Sequence, residues 1–462
     1  MTAADNQGIS SQGISRRGMI RTLGVCAAAA LGAGAAPQGG EPPRRAGQNS
    51  VLGLKHPPLE QVRIGLIGAG GRGMSLLRNL LEIDGVAVTA VCDLVPQRVA
   101  AAQARVVEKK GQPAPAGFSA GETDFENLCR RDDVDLVYVV TPWEWHTPMA
   151  VAAMKAGRHA AIEVPAAITL EECWELVDTA EQTGRHCMML ENCCYGELEM
   201  LVLNMARAGL FGDITHGEAG YIHPFAEGLL STADGSVWRR RHLQQSNGNL
   251  YPTHGLGPVA LYMDIHGGDR FATLVSMSSC ERSLSRARDQ LPEGDPRRQE
   301  TYACGDVNTS LIKTALGRSI LVQFDLVTPR PYDRINMICG TQGTFRDYPP
   351  RIHLQGKTSG HAWETDLEPY LAAHGHPLWK QLKSQALASG GHGGMDYLMS
   401  WRLIQCLRAG RPLDMTVYDA AAWSSVYPLS IASVAQGSAP LAVPDFTRGQ
   451  WQQPRPLLAA DV

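Results

Sequence analysis

Two periodicities alternate along the first half of the chain. Val62-Arg63-Ile64-Gly65-Leu66-Ile67 is an apolar run of strand length, Met74 to Leu81 has helical spacing, and Val86 to Cys92 returns to a strand. Gln97 to Lys109 predicts an Ala-rich helix, Phe125 starts a short one, and Val134 to Val140 is a buried strand. A helix from Thr147 to Ala156 stops at Gly157, and a strand runs from His159 to Glu163. A helix from Leu170 to Thr183, closed by Gly184, precedes a last strand from His186 to Leu190. Strands separated by helices and short turns predict a doubly wound, parallel α/β sheet.

Beyond residue 190 the rhythm changes. Glu197 to Ala208 predicts a helix, while Ile214 to Tyr221, Thr273 to Ser278, Thr309 to Thr314 and Ile320 to Asp325 predict strands. No crossover helices separate the later ones, so this half is expected to be α+β with an open, mostly antiparallel sheet. Residues 284–300 carry many charges and prolines and predict a surface loop; Val417 to Ala435 predicts a late helix.

Gly68-Ala69-Gly70-Gly71-Arg72-Gly73 falls between the first strand and the first helix. In that place Gly68 permits a tight turn, Gly70 lets the backbone approach a pyrophosphate, and Gly73 lets the helix pack close to the strand. Asp93 ends the second strand, twenty residues after Gly73. A carboxylate there binds both ribose hydroxyls and repels a 2′-phosphate, so a Rossmann-type site for NAD is expected over one for NADP. The competing reading is a glycine-rich turn with no ligand. Ligands of open sheets lie beyond the carboxyl ends of the strands, which marks Asp93, Trp143-Glu144-Trp145-His146, Glu163-Val164-Pro165 and Glu191-Asn192.

The 462 residues suffice for two or three domains, and a net charge of −4 without a basic stripe argues against nucleic acid as a partner. Eleven cysteines show no CxxC spacing, so most are expected to be buried, reduced thiols. His216, His223, His242 and His266 have no regular metal spacing, and no metal site is expected. At the amino terminus, Ser15-Arg16-Arg17-Gly18-Met19-Ile20 and the uncharged Thr22 to Ala36 read as a twin-arginine export signal. The apolar run is too short and too mild for a stable membrane span. The expected organisation is therefore a signal over 1–36, a linker over 37–58, an NAD-binding domain over 59–190 and a substrate and oligomerisation domain over 191–462. Export through the twin-arginine machinery would place the protein in the periplasm or outside the cell.

At this point the chain resembles the glucose–fructose oxidoreductase/inositol dehydrogenase superfamily. Many of its members carry Glu-Lys-Pro after the fifth strand, the lysine relaying a proton, where this chain has Glu163-Val164-Pro165. Valine cannot relay a proton. Within the superfamily, five stretches resemble family 109 of the glycoside hydrolases: Trp143-Glu144-Trp145-His146, Glu163-Val164-Pro165, Glu191-Asn192-Cys193-Cys194-Tyr195, Asn247 to Pro258, and Tyr332 to Thr341. That resemblance implies an NAD-dependent α-N-acetylgalactosaminidase. Oxidation at C3 of the sugar acidifies the C2 proton, the glycosidic oxygen leaves by elimination, water adds, and the hydride returns, so no net redox occurs.

The family pattern implies cofactor positions at Gly71, Arg72, Asp93, Trp143, Glu144, Trp145, His146, Glu163, Val164 and Asn192. It implies substrate positions at Tyr221, Arg239, Tyr251, Pro252, Thr253, His254 and Tyr332. His254 is the candidate acid/base at O3, because imidazole titrates near neutral pH. Tyr332 is the candidate base at C2 with Tyr195 as its alternative, and Glu163 is expected to orient the sugar or the nicotinamide ribose. Two departures stand out: Gly196-Glu197-Leu198-Glu199, where basic residues are expected, and the 284–300 segment. The rival readings are a net NAD-dependent sugar dehydrogenase and a cofactor-bound sugar-binding protein without turnover. Superfamily relatives often pair through the second sheet, so a homodimer is expected by analogy.

Overall fold

Five of the predicted strands and a short sixth pair into one sheet. The computed structural model describes residues 41–232 and 234–454; the expected export signal lies outside them. The chain order is β1 (Val62–Ile67), α1 (Gly71–Leu81), β2 (Val86–Cys92), α2 (Pro96–Lys110), β3 (Ala116–Phe118), α3 (Phe125–Cys129), β4 (Leu136–Val139), α4 (His146–Lys155), β5 (His159–Ile162), α5 (Leu170–Thr183) and β6 (Cys187–Met189). The sheet order is β3-β2-β1-β4-β5-β6, parallel throughout. The order reverses between β1 and β4, the switch point at which such sheets bind ligands. β4 and β5 are buried along their whole length, which is why they read as unbroken apolar runs. A capping box at Thr169 and Glu172 starts α5.

The second half comprises α6 (Glu197–Arg207), β7 (Ile214–Ile222), α7 (Ala226–Leu229), α8 (Asp234–Gln245), α9 (Thr253–Tyr262), β8 (Phe271–Ser278), α10 (Ser283–Asp289), β9 (Asn308–Thr314) and β10 (Ser319–Asp325). It continues with β11 (Met337–Gly340), β12 (Gly343–Arg346), β13 (Arg351–Leu354), α11 (Glu368–His374), α12 (Pro377–Ser389), α13 (Met395–Arg408), α14 (Val417–Ser424), α15 (Val426–Ala435) and β14 (Leu441–Ala442). Its sheet runs β13-β12-β11-β7-β10-β9-β8-β14, antiparallel except where β7 meets β10.

Three differences from the sequence reading have physical causes. α9 was not expected because it is buried on every side but His254 and contains Gly255, Gly257 and Pro258, so it shows no amphipathic period. The predicted helix over Val417 to Ala435 is two helices, α14 and α15; Pro428 has no N–H to carry the ladder back to Ser424. Residues 284–300 are not only loop. They contain α10 and a short 3₁₀ turn at Pro296–Gln299, and Glu300 is held by Arg240 at 2.7 Å.

The carboxyl-terminal helices return to the first sheet: α13 packs on α1, and α14 on α5 and β6. Residues 41–58, expected as linker, hold no helix or strand yet are tied down. Arg44 bonds Glu181, and the Val51 N–H donates to the Tyr418 hydroxyl. Among the described residues no helix is long and apolar enough to cross a membrane. The described cysteines are free thiols, and of these only Cys280 is exposed.

Candidate functional site

The turns after β1, β2, β5 and β6 carry one set of candidates. Gly68 has φ +92°, and a Cβ there would lie 2.1 Å from the Val140 carbonyl oxygen; one on Gly73 would lie 1.9 Å from the Gly68 oxygen. Both glycines are thus demanded by packing. Gly70 and Gly71 are different: a Cβ on either meets nothing within 4 Å, so the loop's outer face is clear. No side chain caps α1 at Gly70, which leaves its first N–H groups for an anion. Asp93 accepts from the N–H of Ala69 at 2.8 Å and of Val95 at 2.9 Å, fixing its carboxylate beside the loop. A clear glycine loop, an uncapped helix start and a fixed carboxylate fit a dinucleotide.

Arg72 joins this loop to the last part of the chain. Its Nε donates to Glu163 at 2.6 Å and its Nη1 to Asp396 at 2.6 Å. Asp396 also accepts from Asn192 Nδ2 at 2.7 Å and from His392 Nδ1 at 2.9 Å. Burial alone would raise the Asp396 carboxyl, but His392 and Arg72 outweigh it and hold the group well below the usual range. Glu163 is buried and fastened to Arg72, so it orients the cofactor loop and the β5 turn together.

Trp143 begins an aromatic wall. Its ring centroid is 5.0 Å from that of Trp238 and 5.6 Å from that of Tyr251. The Arg239 guanidinium lies over Trp143, Trp238 and Tyr251 at 6.0, 5.2 and 5.7 Å. Tyr221, on β7, is 4.6 Å from Tyr251 and 5.4 Å from His254 by ring centroids. Pro252 and the buried Thr253 start α9.

His254 stands at the centre. Its Nδ1 lies 2.7 Å from Oε1 of Glu191, a carboxylate with no exposed surface. A carboxylate only accepts, so Nδ1 carries the proton and Nε2 is left to exchange one. Burial opposes the imidazolium, but the Cys193 sulfur and the Glu191 carboxylate outweigh it, and His254 is held well above the ordinary histidine value. α9 reaches Glu191 because Gly257 is a glycine: a Cβ there would meet Glu191 Cγ at 2.9 Å. Gly255 likewise lets α9 lie against the Gly220 backbone of β7.

Tyr332 sits at the rim, 42 % exposed, with its ring 5.3 Å from that of His223. Partial burial pushes its hydroxyl up to about 12, against the pull of Arg334. Arg334 pairs with Glu199 at 2.6 Å, so the unexpected acid at 199 supplies a buried partner beneath Tyr332.

Several expected residues act from a distance. Tyr195, offered as an alternative base, is fully buried and donates to Asp414 at 3.1 Å beside Arg402, so it cannot receive a proton from a sugar. The His146 ring nitrogens lie 2.7 and 2.8 Å from the carbonyls of Pro165 and Thr141. It braces two strand-end turns and has no surface for a ligand. Trp145 packs edgewise on Phe125, Glu144 lies 3.7 Å from His242, and Val164 is buried. The sequence reading marked Glu191 by its place after the last strand and Cys193 only within a resembling stretch, without a chemical role for either, and it passed over His392 and Asp396. Gly390-Gly391-His392-Gly393-Gly394 before Met395 is a second glycine-rich run opening a helix, and was the available signal.

Known proteins match both halves. Residues 62–191 match a family described as an oxidoreductase family with an NAD-binding Rossmann fold, and residues 195–453 match the C-terminal domain of glycosyl hydrolase 109. The chain is 53 % identical over 446 residues to a glycosyl hydrolase family 109 protein of Solibacter usitatus, covering 96 % of this chain and 99 % of that one. It is 47 % identical over 423 residues to an alpha-N-acetylgalactosaminidase of Shewanella oneidensis, covering 90 % and 91 %. An oxidoreductase domain protein from Kribbella flavida has the same fold, with a TM-score of 0.64 at 19 % identity over 83 % of this chain and 99 % of that one.

Proposed function

The chain belongs to glycosyl hydrolase family 109, and on that premise we propose that it hydrolyses terminal α-N-acetylgalactosaminides with NAD as a bound cofactor and no net redox change. The observation that carries this reading is the His254–Glu191 pair beside the tyrosine cluster. Hydrolysis by two carboxylates needs one acid free to protonate the leaving oxygen. Here Glu163 is committed to Arg72 and Glu191 to His254, so neither carboxylate is free. The name of the Shewanella oneidensis relative supports the sugar.

Bound NAD supplies a reversible hydride acceptor for C3 of the sugar. Asp93, the Gly68–Gly73 loop, Arg72, Glu163, Asn192 and Trp143 would hold it. His254 Nε2, once the imidazolium has given its second proton to solvent, takes the O3 proton and later returns it, while Glu191 fixes the ring and balances its charge. Tyr332, once its own hydroxyl proton has passed to solvent at the rim, would take the C2 proton that a C3 carbonyl acidifies, and the C1–O bond would break as the glycosidic oxygen leaves. Tyr221, Tyr251 and Arg239 give the sugar an aromatic and cationic wall. Val164 leaves the β5 turn without the lysine relay of a net dehydrogenase.

Chromogenic glycosides test this reading on the purified protein before and after removal of NAD. Cleavage that disappears with NAD and returns on its addition, without NADH build-up, supports it. Cleavage indifferent to NAD contradicts it, and stoichiometric NADH from free sugars would make the protein a sugar dehydrogenase.

The same proposal includes export by the twin-arginine route, checked by Arg16→Lys with Arg17→Lys, which should retain the protein inside the cell. It also includes a homodimer through the second sheet, where Met277 and Leu311 are exposed. A monomer by light scattering would remove that part.

A further inference from the structure

The sequence reading expects no metal site; among the described residues the histidines it considered form no group of candidate ligands. A different set does. One ligand atom each from Glu191, Cys193 and His254 lie within 4.8 Å of one another. Two chain segments bring them there: the turn after β6 and the first turn of α9. Glu191 and Cys193 are adjacent in one turn, whose geometry is fixed by the Cys193 N–H donating to Glu191 Oε1 at 3.1 Å. The other oxygen, Glu191 Oε2, is buried and makes no hydrogen bond among the described residues. The Glu191 side chain is closed to solvent, whereas His254 keeps 13 % of its side chain open, which leaves one edge for entry.

We propose that Glu191, Cys193 and His254 form a three-ligand site for one divalent cation of the Zn²⁺ class, and that filling it silences the enzyme. A thiolate, an imidazole and a carboxylate suit Zn²⁺, with a fourth position open to water, and they are poor partners for Mg²⁺ or Ca²⁺. Binding takes the thiol proton of Cys193 and the extra ring proton of His254; both go to solvent, and no electron moves. The metal would take one ring nitrogen of His254 and the Glu191 carboxylate, the groups that the proposed reaction uses as its proton carrier. The silencing half of the proposal therefore rests on the role given above to His254, whereas the ligand set does not.

The test uses holoenzyme freed of metal by a chelator. Titration with Co²⁺ should give one site per chain with a thiolate-to-cobalt charge-transfer band, and Zn²⁺ should displace it. Cys193→Ala should abolish the band and weaken Zn²⁺ binding at least about tenfold, the low end of what loss of even an outer partner costs. Cys280→Ala, which removes an exposed thiol elsewhere, should retain both. Micromolar Zn²⁺ should inhibit glycoside cleavage in proportion to occupancy and spare Cys193→Ala, and Mg²⁺ should do nothing. No charge-transfer band, or a band that survives in Cys193→Ala, would overturn the site. Occupancy through Cys193 without inhibition would overturn the silencing and, separately, the placing of His254 in the reaction.

Discussion

Nδ1 of His254 stands 2.7 Å from Oε1 of Glu191, and the carboxylate it faces has no exposed surface. The pair joins the end of the parallel sheet to the first turn of a helix from the other half of the chain. It therefore ties His254 to the carboxyl end of the parallel sheet, the side on which such sheets bind their ligands.

Removing either partner should separate catalysis from cofactor binding. His254→Ala is expected to lower kcat by about 10²–10⁴-fold, the usual worth of a positioned proton carrier, with NAD retained. Glu191→Gln removes a charge that raises His254, so the base deprotonates at lower pH. The rising limb of the pH–kcat/KM profile should then move to lower pH than in the wild type. An unmoved limb would detach Glu191 from the chemistry.

The glycine loop gives two contrasting substitutions. Gly70→Ala meets nothing within 4 Å, so it should fold and melt almost as the wild type while binding NAD at least about tenfold more weakly, which is about 1.4 kcal/mol. Gly73→Ala drives a Cβ into the Gly68 carbonyl and should lower Tm as well as binding. Thermal melts with and without NAD separate the two.

Tyr195 and Tyr332 should part company. Tyr195→Phe loses one buried hydrogen bond to Asp414, costing about 1 kcal/mol of stability, with kcat unchanged. Tyr332→Phe sits at the rim, so Tm should hold while kcat falls. Steady-state rates and melts on the two variants decide; equal kinetic losses would restore Tyr195 to the reaction.

The parallel sheet, the glycine loop and Asp93 were legible in the sequence because local patterning alone builds them. The Tyr251 to His254 block was legible only as a resemblance, and its helix not at all. Gly255, Gly257 and Pro258 disfavour a helix locally, and only close packing on β7 and Glu191 makes one form. Tyr195 misled for the complementary reason. Its neighbour in sequence, Cys193, reaches His254, but the turn carries Tyr195 inward to Asp414. Asp396 was invisible because its partner Arg72 lies 324 residues away.

Acid should weaken the fold through His159 and His186, whose rings lie 5.0 Å apart and tilted at 45° at the amino ends of β5 and β6. Burial pushes His159 down to about 2 and His186 to about 4, from an ordinary 6.5. Their unfolded forms take up protons below pH 6.5 while the folded forms stay neutral, so stability is full above 6.5 and falls as pH drops. The loss is at most about 1.4 kcal/mol per pH unit for each histidine. It should run from pH 6.5 to about 4 for both and continue lower for His159. Urea melts of His186→Gln should show a shallower decline over that window; an equal slope would place the acid sensitivity elsewhere.

The most direct measurement of the central claim is hydrolysis of an α-N-acetylgalactosaminide in deuterium oxide, with the released sugar examined at C2. Removal and return of the C2 proton through the solvent-exchanging base predicts deuterium at C2 of the product, one NAD retained per chain, and no accumulation of NADH. Product carrying only protium at C2 would contradict the account.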